Sequence, residues 1–414
     1  MIGDGWTDEP SVRPTPMDPP LKGRARVALV TGTRAEFGLL RPVGLAIAAR
    51  QDLELAVIAA GAHLISPALT FREVKASFNI AEVVPMQIAG KTGRAEDAEA
   101  LGRGVGRFTR AYEKLRPDWV LVLGDRIEAF AAAAAASVAG YAVAHIHGGD
   151  RAEGVADEGM RHAITKLAHV HFAASEQSAE RIVRMGEARE RVHVVGSPAI
   201  DGLAAVEELS QSGVDELYGG AGFQHAKKAE EGSRGLKARL PVLLLLHPVG
   251  RPSEVEEAAA AEVLEGLRGE RVLALHPNHD PGREGVLRAI ESAGVPIVQH
   301  LPRERFVGLL KHLAKHKGVL VGNSSAGLIE AAALRVPVVD IGPRQGGRER
   351  CGNVVHVEHE RAAEVRAAVG KARELDLGGL VHPYGDGHAG ERIAKVLAEV
   401  SPHQPWVLRK RNAY

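Results

Sequence analysis

The sequence predicts an α/β protein built from two doubly wound, Rossmann-like domains that face a central cleft. Short apolar runs, typical of buried parallel strands, alternate with helical patterns of about 10–15 residues. The alternation is interrupted near residue 200 and then starts again. The length of 414 residues suits two domains of about 200 residues each, and 45% hydrophobic residues are enough for a core in both.

The first predicted domain comprises residues 25–200 and follows a Pro-, Asp- and Gly-rich segment, 1–24, that we interpret as a disordered tail. Its predicted strands are Val27–Thr31, Leu55–Ala59, Trp119–Leu123, Ala142–Ile146, His171–Ala173 and Val192–Val195. The helices predicted between them are Leu39–Arg50, Glu96–Leu115, Glu128–Ala139, Glu158–Ala168 and Glu176–Met185. Unbroken apolar runs of this length indicate strands that are covered on both faces.

The second predicted domain comprises residues 241–380 and follows a segment, 201–240, that we interpret as a linker or exposed insertion because much of it is polar and Gly-rich. Its predicted strands are Val242–Leu246, Val272–Leu275, Pro296–Val298, Val319–Val321 and Val336–Ile341. Helical patterns begin at Glu254, Arg283, Glu304 and Ala326. Residues 381–414 are predicted to form a C-terminal helix and tail.

Charge and cysteine content limit the expected partners. Lys and Arg number 52, and so do Asp and Glu, so no net field would hold nucleic acid or an anionic membrane. The longest apolar run, Ala129–Ala144, is shorter than the about 20 residues of a spanning helix, and we interpret it as an Ala-rich helix that runs into a strand. The single cysteine, Cys351, excludes an internal disulfide and suits a reducing, cytoplasmic compartment.

Polar residues directly after the predicted strands are the candidate functional residues, because parallel sheets bind ligands beyond the carboxyl ends of their strands. The turn Thr31–Gly38 can present backbone N–H groups and Arg34 to an anion. This turn lacks the GxGxxG pattern, which argues against NAD. Asp125 and Arg126 follow the strand that ends at Leu123, and Asp125 is either a base, or a group that orients one, or a plain helix N-cap.

A denser group of charged residues follows the strand Ala142–Ile146. The group comprises His145, His147, Asp150, Glu158, Arg161 and His162. The first two are two positions apart, which predicts that they share one face of the strand, and the last three share one face of a helix. Acids, bases and a cation within 18 residues indicate proton-transfer chemistry, and a solvated salt-bridge cluster is the alternative interpretation.

The most informative motif of the second half is Gly322–Glu330, which follows a strand and opens a helix. The hydroxyls of Ser324 and Ser325 and the free N–H groups of a helix start suit a phosphate. Glu330 could accept two hydrogen bonds from ribose hydroxyls. An ordinary N-cap formed by one of the two serines is the alternative.

Paired histidines invite a zinc interpretation. The pairs are His145 with His147, His169 with His171, and His276 with His279. The compact Cys/His spacing of structural zinc sites and the HExxH motif are both missing from the sequence. We therefore predict no metal site.

These motifs, in this order, resemble the UDP-N-acetylglucosamine 2-epimerase family, and more closely its hydrolysing branch, which feeds sialic and related nonulosonic acids. The matching stretches are Thr31–Pro42, Gly124–Arg126, His145–Gly149, Arg161–His169, Asn323–Glu330 and Gly342–Gln345 with Gly347–Arg348. They cover about Arg26 to Val355, and the run Arg161–His169 is the most specific. The resemblance implies the two-domain GT-B fold.

The resemblance also implies roles for individual residues. The resemblance places the nucleotide on Arg34, His247, Asn278, Ser324, Ser325, Glu330 and Arg344, and we predict Arg126 and Asp280 as further substrate-binding residues. The catalytic carboxylates implied by the resemblance are Asp125 and Glu158, and we predict His247, His147 and Asp150 as further catalytic residues. Family members often have Glu at position 147 and usually Glu at position 150, and the shorter Asp150 carboxylate would lie about 1 Å away, enough to change a proton-transfer geometry.

The activity implied by the resemblance is hydrolysis with inversion at C2. A UDP-N-acetylamino sugar would lose UDP through a glycal, and water would then give the free 2-epimer, with no metal or redox cofactor and with a homodimer or homotetramer as the expected assembly. A non-hydrolysing 2-epimerase, a GT-B glycosyltransferase and a non-catalytic sugar-nucleotide sensor are the alternatives. The sequence leaves open the sugar's C4 and C6 substituents and the choice between UDP and GDP.

Overall fold

A computed structural model describes residues 17, 23–65, 70–91, 93–151, 158–219, 240–278 and 280–413. The chain divides into two compact units. The first comprises Met1–Asp150, Ala156–Asp201 and Pro383–Tyr414, and the second comprises Arg151–Val155 and Gly202–His382. Most of the segment predicted as a tail, 1–24, and half of the predicted insertion 201–240, namely residues 220–239, lie outside the described residues.

The first unit contains a parallel sheet of seven described strands in the order β3-β2-β1-β4-β5-β6-β7. The strands are β1 (Ala25–Thr31), β2 (Leu53–Ala60), β3 (Ile80–Val84), β4 (Trp119–Leu123), β5 (Ala142–Ile146), β6 (Val170–Ala173) and β7 (Val192–Val194). The helices are α1 (Arg34–Ala48), α2 (Phe71–Ser77), α3 (Arg94–Leu115), α4 (Ile127–Val138), α5 (Glu158–Leu167) and α6 (Glu176–Arg184). The strand order reverses between β1 and β4, which confirms the predicted doubly wound topology.

Both faces of this sheet are buried, as the unbroken apolar runs predicted. In β1, Val27 and Leu29 belong to one core, and Ala28 and Val30 belong to the core on the opposite face. The pairing of β4 with β5 ends at Leu123 and Ile146. Residues that follow these two strands therefore leave the sheet side by side, which places the loops of the candidate site next to each other.

The C-terminal segment completes the first unit with helices α14 (Ala389–Glu399) and α15 (Pro405–Leu408). The carboxylate of Asp201 accepts the N–H groups of Ala389 and Gly390 at 3.0 and 2.7 Å, so it caps the start of α14. Ile393 and Leu397 of α14 join the core that β1 and α1 form. The structure assigns residues 383–414 to the first unit, whereas the sequence predicts a separate C-terminal helix and tail over residues 381–414.

The second unit contains a parallel sheet of six described strands in the order β10-β9-β8-β11-β12-β13. The strands are β8 (Pro241–Leu245), β9 (Arg271–Leu275), β10 (Ile297–Val298), β11 (Val319–Gly322), β12 (Val338–Ile341) and β13 (Val354–Val357). The helices are α7 (Gln211–Gly219), α8 (Ser253–Gly266), α9 (Arg283–Ser292), α10 (Arg303–Lys315), α11 (Ser325–Leu328), α12 (Glu330–Ala333) and α13 (Ala362–Arg373). The order again reverses beside the first strand of the unit, between β8 and β11.

The sequence predicts neither the strands β3 and β13 nor the helices α2, α7 and α13. The strands β3 and β13 each lie at an edge of a sheet, where one neighbour is absent and polar residues such as Glu82 and His356 are tolerated. Their apolar pattern is therefore weaker than that of a central strand. The segment interpreted as a linker contains α7, which buries Val214 and Leu217 at helical spacing.

The longest apolar run forms α4 followed by β5, which confirms its interpretation as a buried Ala-rich helix and a strand. Among the described residues, no helix combines the length and the apolar character that crossing a membrane requires.

Candidate active site

Asp125 lies after β4 and is bound by a buried arginine. Helix α4 begins at Ile127 with Arg126 at the N-cap position, so the N-cap alternative for Asp125 is wrong. The Asp125 carboxylate instead forms an ion pair with the guanidinium of Arg161 from α5. The same guanidinium donates to the backbone oxygen of Asp150 at 2.8 Å. Arg161 thus joins the loops after β4 and β5 and fixes the position of Asp125.

The loop after β5 holds His147 and Asp150 in a closed hydrogen-bond network. The Asp150 carboxylate contacts His147 Nδ1 at 2.8 Å and accepts from the Ser178 hydroxyl at 2.8 Å. The other imidazole nitrogen, Nε2, lies 3.0 Å from the Ser197 hydroxyl. All four side chains are buried. The sequence offered no signal for Ser178 or Ser197, because each reaches the loop from a later element.

The expectation that His145 and His147 share a face is wrong. His147 follows the end of β5 with a φ of +65°, which breaks the alternation of a strand and turns its side chain elsewhere. His145 remains in the strand, where Nε2 contacts the backbone oxygen of Gly124 at 2.8 Å and Nδ1 contacts the Thr165 hydroxyl at 3.3 Å. His145 therefore helps to hold the residue that precedes Asp125.

Two carboxyl groups that the sequence did not point to, Glu36 of α1 and Glu128 of α4, are buried beside the turn that follows β1. Burial, and then the charge of Glu128, raise the pKa of Glu36 well above its usual range. Glu128 accepts from Gln87 Nε2 at 2.6 Å. A Cβ at Gly32 or at Gly61 would meet the Glu128 side chain at 2.4 Å, so both glycines leave room for this carboxylate. Gly32, in the predicted turn Thr31–Gly38, thus leaves room for the Glu128 side chain of α4.

Arg34 and Glu158, the other candidates of the first unit, are partly exposed. Arg34 begins α1, and its Nε lies 3.2 Å from the Glu73 carboxylate of α2. Glu158 begins α5, and its carboxylate lies 3.5 Å from His162 Nε2. Residues 152–157, which precede Glu158, lie outside the described part of the chain.

In the second unit, His247 follows β8 and is held by two asparagines. Its backbone N–H donates to Asn323 Oδ1 and its backbone oxygen accepts from Asn323 Nδ2, both at 2.8 Å. The backbone N–H of Asn278 donates to His247 Nδ1 at 3.2 Å. Nδ1 is therefore an acceptor, which leaves the proton of the neutral imidazole on Nε2.

The residues that follow β12 hold Asn323 in place through further hydrogen bonds. Arg344 Nη1 and Gln345 Nε2 both donate to the backbone oxygen of Asn323, at 3.3 and 2.9 Å. Arg344 Nη2 lies 3.7 Å from the Asp280 carboxylate, which also accepts from Asn278 Nδ2 at 2.5 Å. The loops after β8, β9, β11 and β12 are thus joined in one polar network. His279 of the paired-histidine motif lies outside the described residues.

The serine motif after β11 begins a short helix whose N-cap hydroxyl is unused. Ser324 is the N-cap of α11, but its side chain forms no cap hydrogen bond, and Ser325 is the first helical residue. The predicted helix is interrupted at Ile329, after which Glu330 starts α12 with a buried side chain. A Cβ at Gly322 would lie 2.0 Å from the backbone oxygen of Leu245, so glycine permits the close approach of the ends of β8 and β11.

Two histidines of these networks predict loss of stability in acid. Burial lowers the pKa of His145 to about 3, and burial together with the charge of Arg344 lowers the pKa of His247 to about 3. Below an ordinary pKa of about 6.5 the unfolded chain binds a proton that the folded chain does not. We therefore expect each of these two histidines to reduce the unfolding free energy by up to about 1.4 kcal/mol per pH unit as the pH falls below about 6.5.

Calorimetric melting temperatures of wild type and of His145→Gln at pH 7.5 and 5.5 would measure this dependence. The variant is expected to lose less stability on acidification than wild type. His403→Gln, at an exposed histidine, serves as the matched control. Equal acid sensitivity of wild type and His145→Gln would contradict the assignment.

Two doubly wound parallel sheets, each with a polar network at its carboxyl edge, define a two-domain α/β protein of the GT-B-like class. A family model described as UDP-N-acetylglucosamine 2-epimerase matches residues 45–398. The chain belongs to this family.

Similar proteins with curated names span most of the chain. A Legionella pneumophila protein named UDP-N,N'-diacetylbacillosamine 2-epimerase (hydrolyzing) is 35% identical over 94% of this chain and 99% of its own length. A Neisseria meningitidis UDP-N-acetylglucosamine 2-epimerase is 33% identical over 81% of this chain and 84% of its own. The crystal structure of a Neisseria meningitidis UDP-GlcNAc 2-epimerase bound to UDP-GlcNAc is 20% identical, with a TM-score of 0.70, and covers 91% of this chain and 100% of its own. The structural likeness confirms the predicted GT-B-like fold.

Proposed function

We propose that this chain is a hydrolysing 2-epimerase that converts a UDP-linked N-acetylamino sugar and water into UDP and the free 2-epimer. The observation that carries the proposal is the fixed Asp125–Arg161 pair at the carboxyl edge of the first sheet. The Legionella relative, which is named as hydrolysing and matched over 99% of its length, favours hydrolysis over simple isomerisation.

Side-chain exposure separates the proposed proton-transfer groups from the groups that position them. The side chains of Asp125 and Glu158 are 17% and 21% exposed, so both can meet a substrate. Those of Asp150 and His147 are only 5% and 7% exposed and already bonded to each other and to serines. We therefore assign proton transfer at C2 to Asp125 and Glu158, and assign His147 and Asp150 to positioning the loop after β5.

The reaction requires loss of the C2 proton and departure of UDP from C1, which leaves a glycal. Water then adds at C1, and a proton returns to C2 on the opposite face. A carboxylate held at a fixed position is suited to such a transfer, because geometry matters before basicity. The buried guanidinium of Arg161 supplies that fixed position for Asp125.

We assign nucleotide binding to the second unit, with Arg34 and Arg126 as further substrate contacts. The hydroxyl of Ser324, which forms no cap hydrogen bond, the neighbouring Ser325 and the guanidinium of Arg344 suit a diphosphate. The network of Asn278 and Asp280 leaves the Nε2 proton of His247 as a donor to the leaving group. Such preorganised donors stabilise the charge that develops on departing UDP.

Glu330→Ala is expected to weaken UDP binding by about 1–3 kcal/mol, since a buried carboxylate that accepts ribose hydroxyls would be lost. Isothermal titration of UDP into both proteins measures the change. Glu358→Ala, at another glutamate of the same unit, is the control. Unchanged affinity in Glu330→Ala would show that this carboxylate does not bind the nucleotide.

A single assay distinguishes the possible functions. The protein is incubated with UDP-GlcNAc, and separately with UDP-N,N'-diacetylbacillosamine, in D₂O, and the products are followed by NMR. Free UDP with a free 2-epimer that carries deuterium at C2 is the expected result. The UDP-linked 2-epimer would indicate the non-hydrolysing reaction, and no change in either sugar nucleotide would contradict 2-epimerisation and favour a transferase or a sensor.

A further inference from the structure

One carboxylate and two imidazoles form a cluster in the second unit, at the edge of the sheet where β11 begins. Glu208 precedes α7, His312 lies in the last turn of α10, and His316 follows α10 at its C-cap. Glu208 Oε1 lies 3.4 Å from His312 Nδ1 and 3.1 Å from His316 Nε2. One ligand atom from each of the three residues lies within 4.8 Å of the other two. The strand-end networks described above lie at the opposite edge of the same sheet.

These distances match the spacing of metal ligands. Tetrahedral zinc with bonds of about 2.0–2.1 Å places its ligand atoms about 3.3 Å apart. Two of the three separations, 3.4 and 3.1 Å, already have this length. Histidines four residues apart on a helix project to the same side, and the ligand atoms of His312 and His316 lie within 4.8 Å of each other, with the two rings stacked at a centroid distance of 4.1 Å.

The surroundings of His312 are those of a metal ligand. Its side chain is buried, and Nδ1, the atom that faces Glu208, forms no hydrogen bond within the described part of the chain. Glu208 Oε1 lies 3.4 Å from this atom. The side chains of Glu208 and His316 are 24% and 52% exposed, so an ion and a water ligand can enter from solvent.

Lys315, next to the cluster, is expected to lower its affinity for a metal ion. Lys315 Nζ lies 2.5 Å from Glu208 Oε2, the oxygen that does not face the histidines. The other nearby ammonium, that of Lys311, is directed to the backbone oxygens of Ala204 and Val206. Glu208 can therefore keep its ion pair while Oε1 binds a metal, but the charge of Lys315 opposes a dication.

We propose that Glu208, His312 and His316 bind a divalent transition-metal ion of the zinc class. Two imidazoles and one carboxylate form a donor set that suits Zn²⁺, and also Co²⁺ and Ni²⁺. The ion ties the segment that contains Glu208 to α10, which Leu209 already contacts through its N–H bond to the Gly308 oxygen at 3.0 Å. The site is structural and separate from the residues assigned to the reaction.

Binding is measured on the full chain after treatment with a chelator and removal of the chelator. Calorimetric titration with Zn²⁺ is expected to show one more site in wild type than in His316→Ala or Glu208→Gln. The loss of affinity at this site should exceed the ~10–100-fold that removal of an outer-shell partner causes. Saturating Zn²⁺ should also raise the Tm of wild type, and not of the two variants, by at least ~2 °C.

Two further variants make the test specific. His403→Ala removes an exposed histidine outside the cluster and should bind as many ions as wild type. Lys315→Gln removes the opposing charge and should increase the affinity at least several-fold, which a cluster that does not bind metal would not do. Equal stoichiometry, affinity and Tm shift in wild type, His316→Ala and Glu208→Gln would overturn the proposal.

Discussion

Asp125→Asn is expected to lower kcat by at least about 100-fold while UDP affinity changes little. The substitution keeps the shape and an acceptor oxygen for Arg161 but removes the base, and general acid–base groups contribute about 10²–10⁴-fold. Glu158→Gln should have the same effect if the two carboxylates share the proton transfer. Steady-state rates of UDP release, with UDP affinity from titration, measure both.

The effect of Asp125→Asn on turnover must be separated from its effect on the free energy of unfolding. Asp125→Asn leaves the buried Arg161 guanidinium without its counter-charge, and breaking a buried pair costs about 3–5 kcal/mol. The double variant Asp125→Asn/Arg161→Met removes both partners and should regain stability without regaining turnover. Asp52→Asn, at an exposed surface ion pair, is the control and should change neither property. Turnover within a few-fold of wild type in Asp125→Asn would show that this carboxylate is not the base.

Gly149→Ala is expected to reduce the unfolding free energy by at least about 3 kcal/mol and to abolish most activity. Gly149 has a φ of +73°, and a Cβ there would lie 2.1 Å from the backbone oxygen of Ser178. Because that oxygen belongs to α6, the loop and the helix would have to separate, and the hydroxyl of Ser178 would lose its bond to Asp150. Strain and a backbone clash of this kind account for the largest effects of single substitutions.

Gly140→Ala is the matched control, since Gly140 has a φ of +81° but a Cβ there would meet no atom within 4 Å. It should cost only the roughly 1–2 kcal/mol of the left-handed conformation. The Tm difference between the two variants therefore measures the clash alone. Equal melting temperatures for Gly149→Ala and Gly140→Ala would mean that the loop after β5 rearranges without loss of stability.

Central strands and the residues that follow them could be predicted because the sequence signal there is local. A strand such as β4, buried on both faces, must be apolar from Trp119 to Leu123, and Asp125 comes directly after it. The edge strands β3 and β13 were missed because a strand with one neighbour needs no such pattern. The turn at His147 was missed as well, because a positive φ at a residue other than glycine leaves no mark in the sequence.

The partners of the site residues could not be predicted, because they are distant along the chain. Ser197 meets His147 across a separation of 50 residues, and Ser178 meets Asp150 across 28. Arg161 was recognised as a cation of the helix, but its pairing with Asp125 depends on how α5 packs against α4 and β5. The cluster of Glu208 with His312 and His316 joins two elements about a hundred residues apart, so no spacing rule could have found it.

The capping of α14 by Asp201 has a consequence for synthesis of the protein on the ribosome. The two groups are 188 residues apart, and at about 5–20 residues per second the cap completes about 10–40 s after Asp201 is made. During that interval the whole second unit is translated, while the core that Ile393 and Leu397 will cover remains open. The nascent chain thus exposes an apolar face to the cell until α14 has been made, and its yield should depend on chaperones that shield such surfaces.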